Sequence, residues 1–277
     1  MDDLKIIAAF CIIEDTMRVA GHKSHKLCGV TDPEVLLVAV VASMYFHNNH
    51  ERALWTMYNT RFLSKRLSTS RFSRRLHQLA GWLEAITEVL GEVMGQEGEV
   101  FVVDSMPIPV CRRVRAWRCR KIPGRRGRAY FGKCVSKKEK FYGWRLHLIC
   151  TPQGVPVRFH LIPGSFHDLT PIYELTFGLP KGARVYADKG YISALVKRTL
   201  RPTVKRDGVH LIAWHREKMK PNTFEEWLGL KEYRKSIETR NSQLDKMGIQ
   251  ALHARTNQGF AIKVLSSLFA LICINLN

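Results

Sequence analysis

Acidic residues are scarce in this chain: 24 Asp and Glu stand against 44 Lys and Arg, a formal net charge of +20 over 277 residues. Between Ser105 and Lys138 there is no acid at all. Such an excess repels itself unless something anionic neutralises it, and nucleic acid is the commonest polyanion. An anionic membrane is the other class, but no lipidation signal is present. The apolar run from Val264 to Leu276 is too short to span a bilayer and reads as a buried helix. The seven cysteines are odd in number and form no C-x-x-C pair, which argues against a disulfide framework and a zinc site. Reduced thiols in a cytoplasmic protein are expected. No G-x-x-x-x-G-K-[ST] loop occurs, so nucleotide hydrolysis has no support. The start, MDDLKIIAAFCII, opens on acids, unlike a secretory signal. Internal repeats are missing too.

What is present divides in two. Residues 1–95 carry helical signals. One helix is expected to start at Asp32-Pro33, a cap followed by a proline in the first turn. PEVLLVAVVASMYF is apolar almost all round, the mark of a central core helix. Farther on, Leu76, Leu79 and Leu83 fit one helical face, and Arg71, Arg74 and Arg75 another. GQEG at 95–98 reads as a linker, and 96–277 as a second domain.

In that second part strands alternate with helices. VFVVD (100–104), FYGWRLHLICT (141–151), GVPVRFHLIPG (154–164) and ARVYAD (183–188) are expected strands, and RPTVK (201–205) a candidate fifth. Thr-Pro-Gln-Gly marks a hairpin turn between the second and third. Helices are expected over 169–177 and 191–200, followed by a long one through KEYRKSIETRNSQL. The fold class is therefore α/β, an α+β mixed sheet, with a helical N-terminal domain. A basic insertion at about 108–140 separates the first two strands. Arg112, Arg113, Arg115, Arg118, Arg120, Lys121, Arg125, Arg126 and Arg128 crowd it, with Trp117, Tyr130 and Phe131 interleaved.

Two apolar runs end on an acid, Asp104 and Asp188. If their strands are parallel neighbours, the carboxylates leave the same sheet edge about 4.8 Å apart. Bare carboxylates that close repel unless a cation separates them. Divalent metal resolves the conflict, and paired metals suit phosphodiester displacement. Mg²⁺ prefers oxygen ligands and keeps several waters. Glu238 fits as a third ligand: Tyr233, Ile237, Leu244 and Met247 share an apolar face, and Arg234, Glu238, Asn241 and Asp245 form the neighbouring stripe. Arg234 sits one turn before Glu238, placed to orient it or to bind phosphate.

Each acid has a plainer reading. Asp188-Lys189-Gly190 is a good turn, Asp104 precedes Ser-Met-Pro, and Glu238 is a solvated helix position. Asp168, in GSFHDLTPIYEL, reads as a helix N-cap, with a supporting site role as the alternative. His147 and His160 read as satisfied strand residues, and His167 as a loop histidine.

These segments resemble the DDE transposases of bacterial insertion sequences, most like the group named for insertion sequence nine-eighty-two, with groups four and five as relatives. VVDSMPIPVC with YGWRLHL resembles the first-Asp motif. HLIPGSFHDLTPIYEL with VYADKGYIS resembles the second, and YRKSIETRNSQL the Glu helix. The likeness covers roughly residues 98–275. It implies an RNase H-like catalytic core, with Asp104, Asp188 and Glu238 as catalytic ligands of two Mg²⁺ ions, and Mn²⁺ able to substitute. The related tyrosine-arginine-glutamate-lysine signature keeps its middle interval at Arg234 and Glu238. Tyr233 is adjacent to the arginine, not three places before it, and Lys246 falls one place late. The resemblance further implies double-stranded DNA partners, the terminal inverted repeats and the target, and a homodimer in the DNA complex. The 112–128 segment, Lys189 and Arg234 are then expected to hold DNA, and the helices at 61–83 to recognise the transposon end. Rival readings are a host Mg²⁺ nuclease of the same fold and a non-catalytic DNA-binding protein.

Overall fold

The computed structural model describes residues 1–119, 127–134, 139–192, 208–215 and 219–276. The chain forms two compact units, Met1–Val89 with Gln243–Asn277, and Leu90–Ser242. The expected single boundary near 95 is therefore redrawn: the C-terminal stretch returns to the helical unit. The reason is apolar surface. Two helices that are apolar all round can bury themselves only against each other and their neighbours.

The first unit holds α1 (Asp3–Val19), α2 (Asp32–Tyr45), α3 (His50–Asn59), α4 (Thr69–Gln78), the start of α5 (Ala80–Gln96) and the C-terminal helix (Asn257–Asn275). The core helix α2 is buried from Val35 through Ser43, and packs on α1, α3 and the C-terminal helix. Its cap is Thr31, one place before the expected Asp32, in a reciprocal capping box with Glu34. The C-terminal helix is long and apolar enough by composition to cross a membrane, but is mostly buried in this unit. Asn48 is the polar knot of the core. Its Nδ2 donates to Ser267 Oγ and the Met247 carbonyl, each at 3.0 Å, and Ser43 Oγ donates to its Oδ1 at 2.9 Å.

Leu76, Leu79 and Leu83 are buried as expected. Arg71 and Arg74 are exposed. Arg75 is not free for DNA in the same way. It donates to the Val30 carbonyl at 2.6 Å and pairs with Asp32, which also receives His22 Nε2 at 2.9 Å. Burial alone would raise the Asp32 carboxyl, but hydrogen bonds from Arg75 and His22 outweigh it and hold the carboxyl below its usual range. A depressed carboxyl stabilises the fold above the unfolded value near 3.9, and that stability is lost as pH falls through the folded value. Asp32→Asn should therefore cost about 2 kcal/mol at neutral pH. Thermal melts of the two proteins should converge as the pH drops below the carboxylate range. A gap that persists there would deny the pairing its role.

The second unit is built on one mixed sheet. Its strands are β1 (Val100–Arg112), β2 (Phe131–Cys134), β3 (Glu139–Cys150), β4 (Pro156–Pro163), β5 (Arg184–Ala187) and β6 (His210–Ala213). β3 lies antiparallel between β1 on one edge and β2 and β4 on the other, while β5 and β6 extend the β1 edge in parallel. Leaving aside the short β2, a three-strand antiparallel meander followed by two parallel strands is the RNase H-like order the resemblance implies. Phe101 and Val103 bury into one side of the sheet, with Ile149, Val185, Ile172 and Leu175. Val102 and Tyr186 bury into the other, with Leu230. A strand buried on both faces reads as an unbroken apolar run, as VFVV does.

Several expectations change. β1 does not end at Asp104; it continues to Arg112, paired with β3 from Val102↔Cys150 to Arg112↔Phe141. Pro107 and Pro109 are tolerated because, among the described residues, β1 has no strand partner on its β5 side beyond Val103, so the missing N–H groups cost no ladder bond there. The helix expected over 169–177 is only α6 (Ile172–Thr176), and Lys189–Tyr191 forms one 3₁₀ turn. β2 and β6 are additions to the expected strands. The expected elements over 193–200 and 201–205 lie outside the described residues. The long helix, α7 (Phe224–Lys246), opens with Thr223 and Glu226 bonded reciprocally. Gly229 lets it settle on the sheet, since a Cβ there would meet the Tyr186 hydroxyl at 2.5 Å.

Candidate active site

The parallel pairing of β1 and β5 runs from Val100↔Arg184 to Val103↔Ala187. The next residue on each strand is an acid, Asp104 on one and Asp188 on the other. Side chains alternate along a strand. Asp104 therefore shares the face of Val102, and Asp188 that of Tyr186, which is the face α7 covers. Asp104, Asp188, Arg234 and Glu238 line one pocket, floored by Val102 and Tyr186 and flanked by Trp214 and Tyr233.

Asp104 is held at both oxygens. The Ser105 N–H donates to Oδ1 at 2.7 Å, and Asn241 Nδ2 donates to Oδ2 at 2.7 Å. Burial pushes its carboxyl up to about 6. The two hydrogen bonds pull the other way, and repulsion from Asp188 and Asp168 adds to the rise. Asp188 is exposed and opens the 3₁₀ turn. Glu238 is largely exposed, with Oε1 accepting Arg234 Nε at 3.1 Å. Among the described residues no three His, Cys, Asp or Glu side chains already converge as a ligand set. The expected triad is thus gathered at one pocket but not drawn to one point. The donors still fit a hard divalent cation: all are carboxylate oxygens, and one is driven up by burial beside a like charge.

The other face of the sheet carries a second set. Ser105 Oγ donates to Asp168 Oδ1 at 2.9 Å, and Arg145 Nη1 lies 3.3 Å from that oxygen. The N-cap reading of Asp168 is corrected: α6 starts at Ile172 after Pro171, with no side-chain cap. His147 is fully buried, with Nδ1 3.1 Å from the Tyr191 hydroxyl, and burial lowers it to about 4. His160 pairs with Glu174 at 3.1 Å, and His167 accepts from the Leu169 N–H. The readings of His160 and His167 stand, but His147 is only half satisfied: among the described residues its buried Nε2 has no hydrogen-bond partner.

Among the expected DNA contacts, Arg112, Arg113, Arg115, Trp117, Arg118 and Arg128 are exposed. Residues 113–118 form a 3₁₀ turn where Arg118 stacks on Trp117 at 4.2 Å and Arg113 lies over Phe131 at 5.6 Å. Tyr130 is half-buried and makes a T-shaped contact with Trp144, ring centroids 4.9 Å apart. Lys189 is exposed beside Asp188, and Lys246 is exposed in the last turn of α7. Arg120, Lys121, Arg125 and Arg126 lie outside the described residues. Sequence reasoning assigns no role to Asn241, Ser105 or Arg145. Asn241 lies on the Glu238 stripe, three places on, and that spacing is its signal.

A family model described as a transposase DDE domain matches residues 94–258. A curated relative, the transposase for insertion sequence element IS1106 of Neisseria meningitidis serogroup B, is 36% identical over 75 residues. The match spans 26% of this chain and 26% of that relative, so about a quarter of the relative's length is covered. Among solved structures, the Mos1 transposase paired-end complex with left transposon end covers 82% of this chain and 80% of that one, at 10% identity and a TM-score of 0.24.

Proposed function

We propose that this chain, which belongs to the transposase DDE domain family, is the DNA transposase of an insertion sequence. It hydrolyses a phosphodiester at the transposon end, and the freed 3′-OH then attacks the phosphorus of a target phosphodiester, displacing the target strand's own 3′-oxygen. The observation that carries this is the pair Asp104 and Asp188, set side by side where the β1–β5 ladder stops. Asp104, Asp188 and Glu238 would hold the cofactor, which we take to be two Mg²⁺ ions, replaceable by Mn²⁺. When bound, such ions activate water and neutralise charge on the attacking and leaving oxygens.

The chain's own residues do the positioning. Asn241 and the Ser105 amide hold the Asp104 carboxylate in one orientation. Arg234 balances Glu238 and offers a guanidinium to a DNA phosphate. Both steps are in-line displacements at phosphorus, so one site serves both. The exposed arginines of 112–118, with Lys189, grip the duplex backbone, and Trp117 offers a ring to an unpaired base. Arg71 and Arg74 of α4 suit recognition of the terminal repeat. Joining two ends calls for a homodimer on DNA, in the cytoplasm at the nucleoid. Grouping with insertion sequence nine-eighty-two rests on motif order in the DDE region alone.

A strand-transfer assay tests the reading. With a labelled end carrying the element's own repeat, the expected result is a product joined through its 3′-OH to a target duplex. Cleavage without joining would favour a host nuclease of this fold.

A further inference from the structure

The geometry points to Asp168 as a positioning residue that sets Asp104 and Asp188 for cation binding, an inference that rests on the site proposed above. Asp168 lies on the opposite side of the sheet from those two acids, and it touches the segment that carries each. Toward Asp104 the link is Ser105. Its hydroxyl donates to Asp168 Oδ1 at 2.9 Å, while its backbone N–H donates to Asp104 Oδ1 at 2.7 Å. Toward Asp188 the link is Gly190, two residues on. A Cβ there would stand 2.8 Å from Asp168 Oδ2, so the carboxylate is seated directly on the backbone of the turn.

Asp168 is itself pinned. Arg145 Nη1 reaches its Oδ1 at 3.3 Å and Ser105 Oγ at 3.4 Å, and Arg145 Nη2 donates to the Lys133 carbonyl at 3.1 Å. The loop that carries Asp168 is anchored by the Ser165 N–H, bonded to the Ala129 carbonyl at 2.9 Å. Tyr191, one residue past Gly190, is buried, with its hydroxyl 3.1 Å from His147 Nδ1. One carboxylate thus braces two strand ends that come from distant parts of the sequence. Partners behind metal ligands fix ligand orientation, and their loss typically weakens metal affinity about 10–100-fold.

The test uses the full chain, with Mn²⁺ as the probe followed by electron paramagnetic resonance without DNA, beside end cleavage. Asp168→Asn keeps the shape and removes the charge. The expected result is Mn²⁺ affinity about 10-fold weaker and slower cleavage, with DNA affinity at the wild-type value. Ser105→Ala should show the same loss, and Ser105→Thr, which keeps the hydroxyl, should restore it. Wild-type affinity and cleavage in both Asp168→Asn and Ser105→Ala overturn the proposal. If Asp168→Asn melts early, the Ser105 pair decides: loss in Ala and rescue in Thr support it, and no difference between them overturns it. Asp104→Asn separates the two readings. Mn²⁺ binding that is lost in Asp104→Asn but kept in Asp168→Asn sinks this inference alone. Wild-type binding no different from that of Asp104→Asn sinks the metal site, and this inference with it.

Discussion

Asp104→Asn and Asp188→Asn should each lower end cleavage by at least about 1,000-fold while holding DNA as tightly as the parent. The magnitude follows from what a carboxylate does here. Removing one anionic oxygen donor removes several kcal/mol of transition-state stabilisation, and each 1.36 kcal/mol is tenfold in rate. The fold should not suffer. Burial already pushes the Asp104 carboxyl up to about 6, so its ionised form is held at a cost. A neutral amide ends both that cost and the repulsion from Asp188. It also leaves one of two donors, Ser105 N–H or Asn241 Nδ2, facing an amide nitrogen, a loss of about 1–3 kcal/mol. The two effects oppose, so the metal-free melting temperature should move little. DNA affinity should stay level or rise, because a negative charge beside the backbone is gone. Melting, fluorescence anisotropy and cleavage on one preparation separate these readouts. Cleavage by either variant within about 100-fold of the parent would falsify the assignment.

How much of this is legible in the sequence depends on whether the signal is local. VFVV and ARVYA announce buried strands because a strand covered on both faces needs apolar residues at every position. The pattern puts an acid at the end of each run, but the parallel pairing that sets the two acids side by side is a supposition until the ladder from Val100↔Arg184 to Val103↔Ala187 is seen. β1 reads as too short because Ser-Met-Pro-Ile-Pro looks like a turn. Only the pairing with β3 on one side and, among the described residues, no strand partner on the other makes two prolines acceptable there. Asp168 misleads for a related cause. A cap is judged from neighbours in sequence, whereas its partner Ser105 lies 63 positions away. Arg75 and Arg74 look alike on a helical wheel. Only Arg75 meets Asp32, again through distant packing. The C-terminal helix is recognisable as buried, yet nothing in its composition says which helix buries it. Glu238 falls on the helix that lines the pocket of Asp104 and Asp188, and its turn toward Arg234 is a rotamer choice that spacing alone does not determine.

The basic turn should govern affinity rather than rate. Replacing Arg112, Arg113, Arg115 and Arg118 together with Ala removes up to four cations from the DNA backbone. Each phosphate left without its arginine should flatten the slope of log affinity against log salt by about 0.9, so the full set changes it by roughly 3–4. At about 0.7 kcal/mol per exposed ion pair, affinity near 0.15 M salt should weaken about 100-fold. The effect should shrink at higher salt, since counterion release drives it. Packing predicts little cost to the fold, because these side chains point to solvent and only Ala116 of the turn is buried. Arg75→Ala is the contrast. Its guanidinium is spent on Val30 and Asp32, so that variant should melt earlier and leave the salt slope nearly unchanged. A quadruple variant with the parental slope would show that these arginines do not meet phosphate, and that the charge of the chain is used elsewhere on its surface.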